Sequence, residues 1–485
     1  MRKPSPEQDK TSRRTFIRNV GTTAAGVLIV PRHVLGRGFQ APSDRLNIAI
    51  VGYSVGGMGV HDLRALLAGG SSNIVALCDV DETEAGADRM KALFAARPGW
   101  EDTAAFLEGF PASSRYRDYR VMLEKRKDID AVVVATPDHT HAVIAMAAMQ
   151  LGKHVSVQKP LTRTVSEARA LTEAARRYKV VTQMGNQGHS GEGIRLIQEW
   201  INDGAIGQVR EVHCWTNRPI WAQGMPRPEQ QPPVPTGLDW DLWLGPAPLR
   251  PYHRVYHPFS WRAWYDFGCG SLGDMGCHIM DAAYTALRLG APTSVLGFAS
   301  KLVMQVPKPD GSVEETPVTY DDSFPPATIV HYSFPARGEL PPVKLHWYDG
   351  GLQPERPDDL ELDRRMMGGG SLFVGDKGKL VCDSYAGSPR LIPETAMQAY
   401  ARPEKTLPRI TTSHQQAWVD AIKGTIPPSC DFDYAGPFTE GILLGNVAAR
   451  FPGQRLEWDG PTMQVTNLPE ANEFVQHHYR AGWSL

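Results

Sequence analysis

A lysine after one strand and an aspartate and histidine on a glycine-rich helix are the residues of this chain whose types could do chemistry. Lys159 lies in Gln158-Lys159-Pro160, directly after the short strand-like run His154–Val157. Asp274 and His278 lie in the glycine-rich stretch Gly270-Ser271-Leu272-Gly273-Asp274-Met275-Gly276-Cys277-His278. They are four apart, and Asp281 follows three later, so a helix running from Gly270 to about Leu289 carries all three on one face. A third polar cluster, Thr136-Pro137-Asp138-His139-Thr140-His141, follows the continuous apolar run Ala131–Ala135. Such a run reads as a strand buried on both faces of a parallel sheet. The clusters after residues 135 and 157 therefore sit at the carboxyl ends of neighbouring strands, where open α/β sheets hold ligands. A lysine beside histidines at that place points to a redox active site. The structural alternative is that Asp274 is a helix cap and His278 a hydrogen-bonded core residue.

The elements that must position these residues begin at Leu46–Gly52, a buried strand pattern. It runs into Tyr53-Ser54-Val55-Gly56-Gly57-Met58-Gly59, then a helical stretch Val60–Leu67, then a second strand Ile74–Cys78 ending at Asp79. Glycines let the backbone approach a pyrophosphate, the helix start supplies amide donors, and the acid accepts from ribose hydroxyls. An acid at that point also repels a 2′-phosphate, which favours NAD over NADP. Gly52 and Gly56 are four apart where the usual fingerprint has two, which reads as a two-residue insertion around Tyr53-Ser54. Helical patterns at Glu84–Ala96, Tyr116–Lys125 and Ser166–Tyr178 alternate with a further strand at Val180–Met184. That alternation predicts a doubly wound, right-handed parallel sheet over residues 44–190.

The pattern changes after Gly191. A helix over Gly193–Asp203 is followed by strands of antiparallel character at Val209–Thr216, Thr328–Phe334, Pro342–Trp347, 368–375 and Lys379–Cys382, with a hairpin at Lys377-Gly378. His414–Lys423 is an amphipathic helix. Residues 219–259 form a Pro- and Trp-rich connection, long enough to be functional or a wrapping arm. Its Trp221, Trp240 and Trp243 suit stacking on sugar faces, and equally suit packing the arm onto its domain.

Composition bounds the rest. The 485 residues imply two or more domains, and 51 Lys+Arg against 53 Asp+Glu leave no field that favours nucleic acid. Six cysteines form no CxxC pair, and His139 and His141 lie two apart with no carboxylate ligand pattern, so no metal is expected. Ser12-Arg13-Arg14-Thr15-Phe16-Ile17 before the apolar Val20–Val30 reads as a twin-arginine export signal over residues 1–43, cleaved between Gly36 and Pro42. That stretch is shorter than the ~20 residues that span a bilayer, so the mature form is expected to be periplasmic with no membrane span.

The glycine loop, residues 136–141, Gln158-Lys159-Pro160 and the G-x-x-x-D-x-x-x-H-x-x-D run from Gly270 to Asp281 together resemble the glucose–fructose oxidoreductase / inositol dehydrogenase (Gfo/Idh/MocA) family from about Arg45 to the end. The resemblance implies an N-terminal Rossmann domain and a C-terminal α/β domain, here 191–485, with a large, open, mostly antiparallel sheet. It implies Lys159, Asp274 and His278 as catalytic residues. Cofactor contacts follow from Gly52, Gly56, Gly57, Met58, Asp79, Thr136, His139, Gln158 and Lys159. Asn186, Arg262, Tyr265 and His278 are placed near the nicotinamide or substrate, and a homo-oligomer (dimer or tetramer) is expected. Most relatives carry Glu where this chain has Gln158; a neutral amide there removes an attraction on the Lys159 ammonium. The activity implied is oxidation of a sugar, glycoside or cyclitol hydroxyl with tightly bound NAD. Export favours an alternative in which the cofactor is restored in each cycle, as in glycoside cleavage by oxidation, elimination, hydration and reduction. A non-catalytic nucleotide- or sugar-binding protein is the third reading.

Overall fold

The computed structural model describes residues 45–53, 57–83, 103–301, 303–317, 321–476 and 478–485. The expected export signal, the helix over Glu84–Ala96 and Gly56 lie outside the described residues.

Apolar runs build the first sheet. β1 (Leu46–Val51), β2 (Ser72–Cys78), β3 (Arg115–Tyr116), β4 (Ala131–Val134), β5 (His154–Gln158) and β6 (Thr182–Gly185) pair in the order β3-β2-β1-β4-β5-β6. Every pair is parallel. Helices α1 (Met58–Ala68), α2 (Tyr119–Lys125), α3 (Asp138–Gln150) and α4 (Val165–Tyr178) connect the strands. The sequence assigns Tyr116 to a helix; instead Arg115–Tyr116 pairs with β2, and the helix starts at Tyr119 with the Asp118 side chain capping it. α4 opens on a capping box in which Thr164 and Glu167 satisfy each other's backbone.

The second sheet has nine strands. After α5 (Glu192–Asn202) come β7 (Val209–Thr216), β8 (Ser294–Ala299), the two-stranded β9 (Val303–Pro307) and β10 (Val313–Pro317), β11 (Thr328–Phe334), β12 (Val343–Tyr348), β13 (Gly369–Gly375), β14 (Lys379–Asp383), β15 (Arg390–Ile392), β16 (Arg455–Asp459) and β17 (Gln464–Val465). The order is β15-β14-β13-β7-β12-β11-β8-β16-β17, antiparallel except where β12 lies parallel to β7. The expected class, a Rossmann sheet followed by a large and mostly antiparallel sheet, is the one observed.

Helices α6 (Trp240–Leu244), α7 (Gly270–Ile279), α8 (Asp281–Leu287), α9 (His414–Ile422) and α10 (Phe432–Arg450) complete the elements that matter here. The helix expected from Gly270 to Leu289 breaks at Met280 into α7 and α8. Asp281 therefore leaves the Asp274–His278 face and pairs with His189 at 2.9 Å. One buried core joins β4, β5 and α4 of the first sheet to α7, α10 and the strands of the second. The 219–259 segment forms its own cluster, in which Trp221, Trp243, Tyr256 and Phe259 pack with Trp261, Trp264 and Phe267. All six cysteines are buried and free. No helix among the described residues is long and apolar enough to cross a membrane.

Candidate active site

One cleft, open to solvent, runs from the carboxyl ends of β1 and β2 to α7 and is lined by both the glycine turn and the Lys159–Asp274 pair.

At one end the β1–α1 turn makes a cradle. Gly52 has φ +89°, and a Cβ there would lie 2.6 Å from the Ala135 carbonyl carbon. A Cβ on Gly59 would lie 2.1 Å from the Gly52 oxygen. Glycine is thus required at both positions for strand and helix to approach this closely. Gly57 caps α1 without any side-chain hydrogen bond, leaving first-turn amides to an anion, and Gly57 and Met58 both line the cleft. Asp79 closes β2, is buried, lines the cleft and accepts from the Asp81 amide at 3.1 Å. A glycine cradle, an uncapped helix start and a buried acid fit a dinucleotide whose ribose carries free hydroxyls. Thr136 also lines the cleft, its hydroxyl bonded to Thr140 at 2.7 Å.

At the other end the catalytic candidates meet. Lys159, immediately after β5, donates from Nζ to Asp274 Oδ1 at 2.8 Å and to the Asp274 carbonyl at 2.7 Å. Arg262 Nε approaches the same Oδ1 at 3.4 Å. Burial alone would raise the Asp274 carboxyl; Lys159 and Arg262 outweigh it and hold the group well below the usual carboxylate range. An ammonium has three N–H groups, so two are spent on Asp274 and the third remains for the cleft. His278, one turn further along α7, contacts the Asn186 amide oxygen through Nδ1 at 2.7 Å. That oxygen only accepts, so Nδ1 carries the proton and Nε2 keeps the lone pair. Burial, with the Lys159 charge beside it, pushes the imidazole far below its ordinary value, so His278 is neutral. Lys159, Asp274, His278 and Arg262 line one cleft.

Several sequence expectations change. His139 is fully buried, and its ring nitrogens face the backbone carbonyls of Phe267 (3.2 Å) and Trp243 (2.8 Å), so it braces the structure behind the cleft. Burial pushes His139 down to about 4, and His141, held by the Pro160 and Thr136 carbonyls, likewise to about 4. Tyr265 turns away: its ring lies 4.1 Å from Phe324 and 3.5 Å from the Arg450 guanidinium carbon. Gln158 borders the cleft, but its amide points to α1, donating to Asp62 Oδ2 at 2.7 Å, while Gln415 donates to Oδ1 at 2.7 Å. The amide thus serves Asp62 rather than Lys159. Asn186 is fully buried behind His278 and orients it rather than facing substrate.

The cleft also holds residues that spacing did not single out. Asp138, the first residue of α3, lines it, and burial raises its carboxyl to about 7 against the opposing pull of Arg262. Its signal in the sequence is an acid at the helix start immediately beyond a buried strand. Tyr385, in the β14–β15 turn, lines the cleft with its ring 4.7 Å from His278. Of the three arm tryptophans, Trp221 and Trp243 line the cleft, whereas Trp240 stacks on Trp243 at 4.5 Å.

A parallel sheet with a dinucleotide cradle, opening onto the Lys159–Asp274–His278 cluster, defines an NAD-binding Rossmann fold. Residues 46–186 match the oxidoreductase family model with NAD-binding Rossmann fold, and residues 202–295 match the model of its C-terminal alpha/beta domain. Both stretches are thus similar to the Gfo/Idh/MocA oxidoreductase family. It is similar to levoglucosan dehydrogenase of Pseudarthrobacter phenanthrenivorans, 29% identical over 42% of this chain and 45% of the relative. A glycosyl hydrolase family 109 protein of Saccharopolyspora erythraea is 30% identical over 41% of this chain and 44% of the relative. The chain thus spans about half the length of the curated relatives it matches. Among solved structures, the WlbA dehydrogenase of Bordetella pertussis, in complex with NADH and UDP-GlcNAcA, shares the fold with a TM-score of 0.53. It is 15% identical, covering 86% of this chain and 99% of that one.

Proposed function

We propose that this protein oxidises a hydroxyl of a sugar, glycoside or cyclitol with tightly held NAD, after export to the periplasm through the twin-arginine route, as a homo-oligomer. The observation that carries the reading is the convergence of Lys159, Asp274 and His278 on the cleft that the glycine loop and Asp79 open. Bound there, a nicotinamide supplies hydride acceptance and return. The chain supplies the proton chemistry. His278 Nε2 accepts the hydroxyl proton, and the free Lys159 N–H holds the developing alkoxide by a charge-assisted hydrogen bond. Asp274 fixes the lysine, and Asn186 fixes the tautomer of the histidine.

Asp138 favours a second reading, the redox-neutral cleavage of a glycoside. A carboxyl raised to about 7 keeps its proton near neutrality, as protonation of a leaving group requires. The name of the family 109 relative supports the same option.

Purified protein, heat-denatured, is expected to release NAD. Incubation with sugars and an electron acceptor separates net oxidation from aglycone release without net redox change. Lys159→Met is expected to lower turnover by at least ~100-fold while NAD content and melting temperature stay near wild type. Undiminished turnover in that variant would refute the scheme.

A further inference from the structure

Among the large hydrophobic side chains that border the cleft, two stand exposed. Tyr385 is 52% exposed and Ile220 is 55% exposed. Both lie just past one end of the second sheet. β7 ends at Thr216, which pairs with Gly369, and the adjacent Gly370 pairs with Asp383, where β14 ends. Apolar surface left open in a groove, beside a few convergent polar groups, marks a place where a ligand lies.

The turn that carries Tyr385 is built to hold it. Asp383 Oδ1 accepts from the Tyr385 amide at 2.9 Å and from the Gly387 amide at 2.7 Å. Ala386, at φ +60°, and Ser388, at φ +47°, sit in the left-handed region. Residues with a side chain stay there only where their surroundings enforce it, and such strain gathers at functional sites. The enforcing surroundings are two glycines. A Cβ on Gly188 would lie 2.9 Å from the Tyr385 carbonyl oxygen, and one on Gly193 would run into the Ala386 carbonyl. The backbone on either side of the tyrosine is thus seated in notches, while its ring stands in the cleft.

The Tyr385 ring centre lies 4.7 Å from that of His278, with the planes at 51°. A molecule resting on the phenol face therefore has its edge beside the imidazole, in the cleft that Lys159, Arg262 and Asp138 also line. An aromatic face with hydrogen-bonding groups at its margin matches a ligand with a flat C–H face and a rim of hydroxyls. A closed six-membered sugar or cyclitol ring has that form; an open-chain polyol does not. We propose that Tyr385 is the platform on which the substrate ring stacks, so that the site selects a closed pyranose or cyclitol ring over an open-chain polyol. This rests on oxidation of a sugar or cyclitol hydroxyl, as read above. It adds the residue that orients the ring and the shape the ring must have.

The test uses full-length, NAD-loaded wild type, Tyr385→Ala and Tyr385→Phe with an added electron acceptor. The probes are methyl β-D-glucopyranoside, methyl β-D-galactopyranoside and myo-inositol, with sorbitol as the open-chain comparison. Wild type is expected to prefer a closed ring to sorbitol. For the closed ring it uses best, Tyr385→Ala is expected to raise KM roughly tenfold with kcat nearly kept, the share of one stacking contact. Tyr385→Phe, which keeps the ring, is expected to recover most of that loss. Far-UV circular dichroism, melting and NAD released on denaturation serve as controls for fold and cofactor content. A purely structural role for the tyrosine would move these controls, and would not separate KM from kcat. If Tyr385→Ala, folded and loaded, keeps the wild-type KM, or if wild type uses sorbitol as well as the closed rings, the inference is overturned while the proposed function stands. If wild type oxidises none of the probes, both fall together.

Discussion

Replacing Gln158 by glutamate measures how the floor of the cleft is built. Gln158 and Asp62 are 7% and 3% exposed, and the amide donates to the carboxylate at 2.7 Å. A glutamate in the same rotamer sets two carboxylates at that separation. With an effective dielectric of ~20, the repulsion is about 6 kcal/mol. The fold escapes it by protonating the introduced side chain, which then donates to Asp62 as the amide did. The cost becomes that of holding a carboxyl protonated, about 1.36 kcal/mol for each pH unit above an ordinary value of about 4.3. That is about 1 kcal/mol near pH 5 and about 5 kcal/mol near pH 8. The sign follows from a folded-state pKa raised above the unfolded one: stability is kept at low pH and lost as pH rises toward the folded value. Urea unfolding followed by tryptophan fluorescence at the two pH values reads this difference directly. Adding Asp62→Asn restores a neutral partner and is expected to recover most of the loss. A destabilisation independent of pH, or one that the second substitution leaves intact, would refute the pairing of Gln158 with Asp62.

Other perturbations bear on the reacting end of the cleft. Asp138→Asn is expected to remove an ionisation near 7 from the pH profile of kcat/KM. Because folding raises that carboxyl, its contribution to stability is present at acid pH and lost as pH rises through about 7, so the variant is expected to be more stable than wild type in urea at about pH 8. Asn186→Leu removes the acceptor that fixes the His278 tautomer; kcat is expected to fall about 10–100-fold with little change in NAD content, measured by steady-state kinetics and denaturing release. Tyr265→Phe is expected to leave kcat and KM within about twofold of wild type, because the ring packs on Phe324 and Arg450 away from the cleft, and its loss reads only as a small drop in melting temperature.

β1, β2 and β4 of the first sheet are legible because they are apolar-rich runs that close on a glycine turn or a polar cluster, whereas β3, only two residues long, is not. β7 and β11 were legible to the residue because Val209–Thr216 and Thr328–Phe334 are β-branched- and aromatic-rich runs, the latter alternating buried and half-buried. α10 was not, because Gly436, Pro437, Gly441 and Gly445 read as helix breakers. The structure uses those glycines as notches: a Cβ on Gly441 would lie 2.2 Å from the Tyr284 hydroxyl, and one on Gly445 2.0 Å from that of Tyr332. Lys159, Asp274 and His278 stand out through strand ends, helix spacing and the family resemblance together, and the structure brings them to one cleft. His139 and Tyr265 went astray because spacing places a residue near a site but does not tell which way its ring turns. Asp138 was passed over because an acid at a helix start is ordinary, and only burial makes it unusual.

The Lys159–Asp274 link joins residues 115 positions apart, one at the end of a Rossmann strand and one on a helix of the later half. During synthesis the nucleotide-binding half emerges first and holds Lys159 without Asp274 or His278 beside it. On the proposed function, turnover therefore begins only when the later half has docked, and a truncated or half-folded chain turns nothing over however well it holds a cofactor.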